Sequence, residues 1–141
     1  MAISIVRLGA PRAADEGPRL GTVRRPPRGV RKADYAKLNY YDAWLPALSP
    51  SAGLVREALA AEDAAGWRRF DRRFTAELKH PDASHLLDAL AALSHVGNFA
   101  MGCYCADEQR CHRSILRREL KRRGADIREG THHAKNTREV T

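Results

Sequence analysis

The twelve residues from Gly102 to Arg113 (GCYCADEQRCHR) concentrate the reactive side chains of this chain. They hold all three cysteines, with a histidine and an arginine directly after the last one. Cys111-His112-Arg113 reads as a helix start, where unpaired backbone N–H groups and the helix dipole favour negative charge. A thiol placed there loses its proton more readily, and neighbouring Arg110 and Arg113 add to the effect. Cys111 is therefore a candidate nucleophile, His112 its candidate acid or base, and Arg113 a candidate holder of an anionic group. The competing account is structural, with Cys111 a small packing residue and His112 a cap. A metal is the third account. Cys103, Cys105, Cys111 and His112 supply three sulfurs and a nitrogen, a ligand set suited to zinc. Against it, C-x-C-x5-C-H departs from the usual zinc spacing, and adjacent residues diverge on a helix. If Cys103 is buried, Cys105 and Cys111 remain as a redox pair. Asp107 and Glu108 could act as an acid/base pair, although carboxylates ahead of a helix commonly serve its N-terminus.

A second candidate is the run from Arg24 to Lys32 (RRPPRGVRK), which carries five cations on a proline-stiffened loop. Arg24, Arg28 and Arg31 could clamp a phosphate, or form a solvated charge run. The expected ligand-binding set is Arg24, Arg28, Tyr104 and Arg113. Arg117, Arg118, Lys121, Arg122 and Arg123 form a basic helix face that invites nucleic acid, but no aromatic residues interleave it. His132 and His133 carry no assignment.

These groups need a scaffold. Ile3 to Leu8 is a short, β-branched apolar run, expected as a buried strand that ends at Gly9-Ala10-Pro11. Asp15 to Pro18 is a turn, and Leu20 to Val23 a second short strand. Tyr35 to Leu48 reads as irregular or short-helical. Ser49-Pro50-Ser51 caps a helix reaching about Asp63. Trp67, Phe70, Phe74 and Leu78 lie on one helical face, with Arg68, Arg69, Arg72 and Arg73 turned away. Pro81-Asp82 opens a helix with Leu86, Leu87, Leu90 and Leu93 as its buried stripe, stopped by Gly97. Asn98 to Cys105 is expected as a strand. His112 to Arg123 is a basic helix with Ile115, Leu116 and Leu120 inward, closed by Gly124, and Ile127 marks a last strand. Strands separated by long helical segments imply parallel crossovers. The expected architecture is α/β, a small Rossmann-like three-layer sandwich with a mostly parallel sheet flanked by helices. Residues 1–129 form one domain, and 130–141 read as a flexible C-terminal tail.

The chain has 141 residues, 43% of them hydrophobic and 30% charged, a globular rather than disordered balance. Its 25 Lys and Arg against 17 Asp and Glu leave +8, which favours anionic partners. An anionic small molecule is the expected partner and nucleic acid the alternative. No apolar run is long enough to span a membrane, and the first residues lack a secretory leader pattern. Three clustered cysteines argue against a disulfide framework and for the cytoplasm. No P-loop, dinucleotide fingerprint or complete triad is present, so the residues specify neither a cofactor nor a reaction.

Gly102-Cys103-Tyr104-Cys105 followed by Cys111-His112-Arg113 resembles the domain-of-unknown-function family numbered 488. So do Arg7-Leu8-Gly9, Pro27-Arg28-Gly29-Val30, Trp44-Leu45-Pro46, Pro50-Ser51, and Trp67 with Phe70, Phe74 and Glu77-Leu78. The elements run in family order from about Ile3 to Ala125. There is one departure. The better-known bacterial branch reads Asp-Arg-x-Trp-Pro-Arg-Gly, whereas Val23 and Pro26 stand here in place of the acid and the tryptophan. The resemblance implies a compact α/β fold, with a site between the Pro-Arg-Gly loop and the Cys-His-Arg helix start. It implies no particular activity.

Overall fold

A computed structural model describes residues 1–128. Its strands are β1 (Ile3–Arg7), β2 (Arg19–Gly21), β3 (Ala43–Trp44) and β4 (Phe99–Cys103). Its α-helices are α1 (Ala52–Ala60), α2 (Ala64–Glu77), α3 (Pro81–Leu93) and α4 (His112–Arg122). The four strands form one sheet in the order β1-β4-β2-β3, and every pairing is parallel. Ile127 adds a parallel bridge to Ile3, where a last strand was expected. This is the small Rossmann-like α/β sandwich that the element order implied. The expected tail from 130 onward, with His132 and His133, lies outside the described residues.

β4 sits between β1 and β2, and all five of its residues are buried, as a central parallel strand requires. Ile3 pairs with Phe99, and Met101 pairs with both Ile5 and Leu20. Their common face packs on Leu54 of α1, Phe70 and Phe74 of α2, Leu87 and Leu90 of α3, and Ile115, Leu116 and Leu120 of α4. All four helices therefore share one core. Each such side chain contributes about 1.5–3 kcal/mol when fully buried.

The opposite face carries Gly21 and Gly102, aligned in register. A Cβ on Gly102 would lie 2.7 Å from Leu8 Cδ2 and 2.8 Å from Val6 O, and one on Gly21 would collide with the Tyr41 ring. Two bare positions thus let loop residues lie flat on the sheet. The outer layer here consists of loops, from 8 to 18 and from 22 to 42. A buried ion pair stitches them together. Arg19 Nε meets Glu16 Oε2 at 2.5 Å, and the guanidinium also donates to the carbonyls of Ala10, Pro11 and Asn39.

Some boundaries differ from expectation. The 35–48 segment contains the short strand β3, held by Trp44 Nε1 donating to Val23 O at 2.7 Å. α1 stops at Ala60, because Asp63 is needed as the N-cap of α2 and accepts from Gly66 N. α3 ends at Leu93, before Gly97, and Leu93 is 52% exposed instead of buried. The inward stripe is Ala83, Leu87, Leu90 and Ala91, and the buried Ser94 continues it, donating to Ala91 O and accepting from Asp126 N.

Candidate functional site

Cys103 ends β4 and Cys111 is the N-cap of α4, so both thiols lie at the carboxyl edge of the sheet, where parallel α/β domains place ligands. The intervening loop is set by Asp107, which caps a short turn, and by Glu108, which forms a bidentate pair with Arg117 at 2.6 and 3.0 Å. Asp107 thus serves a turn start, and Glu108 ties the loop to the middle of α4. Cys103 and Cys111 are buried and Cys105 is exposed, with no disulfide among them. Cys103 Sγ lies 3.8 Å from Cys105 Sγ, and Cys111 Sγ lies 3.7 Å from His112 Nδ1. Ligand atoms of Cys103, Cys111 and His112 all fall within 4.8 Å of one another.

His112 is oriented from both sides. Its Nε2 is 2.5 Å from the carbonyl oxygen of Thr22, and its ring packs edge-on against Phe74 at 5.7 Å. A carbonyl only accepts, so Nε2 carries a hydrogen, and Nδ1 is the nitrogen that faces Cys111. Hydrogen bonds from Cys103 and Cys105 hold the Cys111 thiol well below its ordinary value. Burial opposes them, and His112 adds to the lowering. Cys103 is driven the other way by its hydrogen bonds to Cys105 and Cys111 and by burial.

Arg113 is 4% exposed, and donates from Nη1 to Val6 O and from Nη2 to Cys105 O, both at 2.7 Å. Its Nε has no acceptor, and no carboxylate pairs with it among the described residues. Arg24 likewise bonds backbone, with Nε on Pro50 O and Nη2 on Ser49 O, both at 3.0 Å. Arg31 pairs with Asp34. Arg28 is exposed and carries no hydrogen bond or ion pair among the described residues. It lines a cleft of about 280 Å³ together with Arg7, Leu8, Pro27, Tyr40 and Tyr104. Leu8, Tyr40 and Tyr104 also pack with Cys103 and Cys111 in one cluster, so the cleft adjoins the thiols. Tyr104 Oη donates to Arg25 O at 2.9 Å, and burial, followed by the nearby Tyr41, raises its pKa. The structure thus joins Arg28, Tyr104, Cys111, His112 and Arg113 in one region and turns Arg24 toward the start of α1.

A larger cavity of about 340 Å³ runs past Arg24, Ser49, Glu77, His80 and Asp82 and contains no cysteine. Its polar groups are committed locally, Glu77 to Ser51 N and His80 to Asp82 N. Two neighbours of the site, Arg7 and Thr22, were missed in the sequence. Arg7 and Tyr40 line the cleft, and Thr22 orients His112 through its carbonyl. Arg7 had a signal, since it closes the first strand of a parallel sheet. A backbone carbonyl leaves none.

Fold and site together define a small parallel α/β domain with a Cys/His cluster at the carboxyl edge of its sheet. Residues 3–124 match the model of the DUF488-N3a family, described as the active DUF488-N3 subclade. The chain belongs to the DUF488 family. No curated protein and no solved structure matches it. No described helix is long and apolar enough to cross a membrane.

Proposed function

We propose that this domain binds a small phosphate-bearing anion, nucleotide-like in size, in the cleft lined by the Pro-Arg-Gly loop, Arg7, Tyr40 and Tyr104, beside the Cys-His-Arg helix start. The observation that carries this is Arg28, a guanidinium without a partner among the described residues, on the wall of a cleft at the carboxyl edge of a parallel sheet. Arg7 adds a second cation to the same wall, and Tyr40 and Tyr104 offer aromatic surface to a planar ring. Arg113 shapes the site by gripping the carbonyls of Val6 and Cys105. Cys111 and His112 are the reacting pair. Nδ1 of His112 takes the thiol proton, the Thr22 carbonyl holds the ring, and burial keeps bulk water from the sulfur.

The test is thermal denaturation of the full chain with millimolar inorganic phosphate and a panel of nucleoside mono-, di- and triphosphates. Binding at a hundredfold excess over Kd stabilises the native state by about 2.7 kcal/mol. A raised Tm that disappears in Arg28→Ala, with the unliganded Tm unchanged, supports the assignment. A flat response across the panel overturns it.

Nucleic acid is the second partner that the charge favours. On α4 and its C-cap, Arg118 is paired with Asp71, Arg122 with Glu119, and Arg123 with Asp88, which reduces the positive charge this face presents. Affinity for duplex DNA or RNA that falls steeply with salt would favour this reading over the small anion.

A further inference from the structure

We propose that Cys103, Cys105, Cys111 and His112 form a tetrahedral site for a soft divalent cation, zinc by its ligand chemistry. Two sulfurs about 2.3 Å from one zinc in a tetrahedron are about 3.8 Å apart, and a sulfur and a nitrogen about 3.6 Å. Cys103 Sγ and Cys105 Sγ stand 3.8 Å apart, and Cys111 Sγ and His112 Nδ1 3.7 Å. Each pair thus has the length of one such edge, and the exposed Cys105 reaches the buried trio through Cys103. Cys103, Cys111 and His112 are all buried and converge within 4.8 Å. Three sulfurs and one imidazole form a closed, structural type of site, with no position left for water.

The objection raised by the sequence spacing dissolves in the backbone. Cys111 precedes the first helical residue and is extended (φ −129°, ψ 150°), so its side chain and that of His112 reach one point. The surroundings suit an ion as well. Metal-bound histidines typically give their other ring N–H to a carbonyl or carboxylate, and His112 Nε2 meets the Thr22 carbonyl at 2.5 Å. Three thiolates around a dication leave one net negative charge. Arg113 is a buried guanidinium without a carboxylate partner, has an unsatisfied Nε, and is anchored on the carbonyl of Cys105. It matches that charge in sign and size. Binding releases the remaining thiol protons to solvent and involves no change of oxidation state.

One ion there would join the end of β4 to the start of α4. It would also take Cys111 out of nucleophilic chemistry while bound, so the thiol reaction proposed above belongs to the metal-free protein. The anion cleft does not depend on the ion. A Tm response to nucleotides in metal-stripped protein tests that reading by itself.

The experiment uses the full chain, reduced and stripped by a chelator, titrated with Co(II) and then with Zn(II). The expected result is one equivalent of Co(II) with intense tetrahedral d–d bands and a sulfur-to-cobalt charge-transfer band, both erased by one equivalent of Zn(II). Substitution of buried Cys103 or Cys111 risks the fold itself, so the exposed Cys105→Ser is the decisive variant. It should weaken binding by about tenfold or more and lower the charge-transfer intensity, with the circular dichroism unchanged. A weak octahedral cobalt spectrum in wild type, or identical titrations of wild type and Cys105→Ser, overturns the site.

Discussion

The ring of His112 is bonded through Nε2 to the carbonyl oxygen of Thr22, ninety residues away, at 2.5 Å. The contact joins the residue after β2 to the first residue of α4, and it decides which nitrogen faces Cys111. His112→Ala would leave a buried carbonyl unsatisfied and an edge-on contact with Phe74 empty. The expected cost is about 1–3 kcal/mol, read as a lower urea midpoint at unchanged slope.

Arg113 should be hard to replace. Arg113→Met keeps much of the volume but leaves the carbonyls of Val6 and Cys105 without donors. A loss of about 2–4 kcal/mol is expected. Arg28→Ala, by contrast, should leave the urea midpoint within about 0.5 kcal/mol of wild type. Equal effects of the two substitutions would contradict the different roles assigned to these arginines.

Gly102→Ala places a methyl group against Leu8 and the Val6 carbonyl in a central strand. Overpacking of this kind costs about 1–3 kcal/mol. The displaced residue would be Leu8, a wall of the cleft, so any anion-dependent Tm rise should shrink in the same variant.

Acid should remove one helix–helix tie. Asp71 of α2 and Arg118 of α4 meet at 2.7 and 2.8 Å. The Arg118 hydrogen bonds hold the Asp71 carboxyl below its ordinary 3.8, against a smaller opposing effect of burial. A depressed carboxylate stabilises the fold above the unfolded-state pKa and loses that contribution as pH falls through the folded-state value. With Arg118 half-exposed, the pair is worth about 1 kcal/mol or less. Asp71→Asn should therefore be slightly less stable than wild type at neutral pH, and the gap should begin to narrow near pH 4 and close as the pH falls further. Paired urea melts across that pH range measure it.

The helical half of the fold was legible because its signal is periodic. Phe70 and Phe74, or Ile115, Leu116 and Leu120, repeat at helical spacing and reach the core together. Leu93 was misplaced because Leu86 and Leu93 mimic the same stripe, while a buried serine takes the inward position after them. β3 was missed because Ala43–Trp44 is too short to show alternation. The loop layer hid for a different reason. Glu16 and Arg19 read as surface charges, and only the fold reveals them as a buried pair. The candidate site was legible in residue type, since Arg28, Tyr104, Cys111, His112 and Arg113 lie in two short segments, whereas Arg7, Leu8 and Tyr40 lie outside them. The direction of each was not, because the targets of Arg24 and Arg113 are backbone carbonyls.

The sheet is thermodynamically lopsided. One side is sealed by hydrocarbon contributed by four helices, and the other by loops held by a smaller apolar cluster around Leu8, Val23 and Tyr41, a salt bridge and a few carbonyl bonds. Segments with few apolar contacts open at lower free energy than the core does. Amide hydrogens of residues 8–18 and 22–42 should therefore exchange well before those of α2 and α4. The cleft wall formed by Leu8, Pro27 and Arg28 lies within those same loops. Earlier exchange there than in the helices would mean that the mouth opens while the helical half stays folded, exposing the thiols without global unfolding.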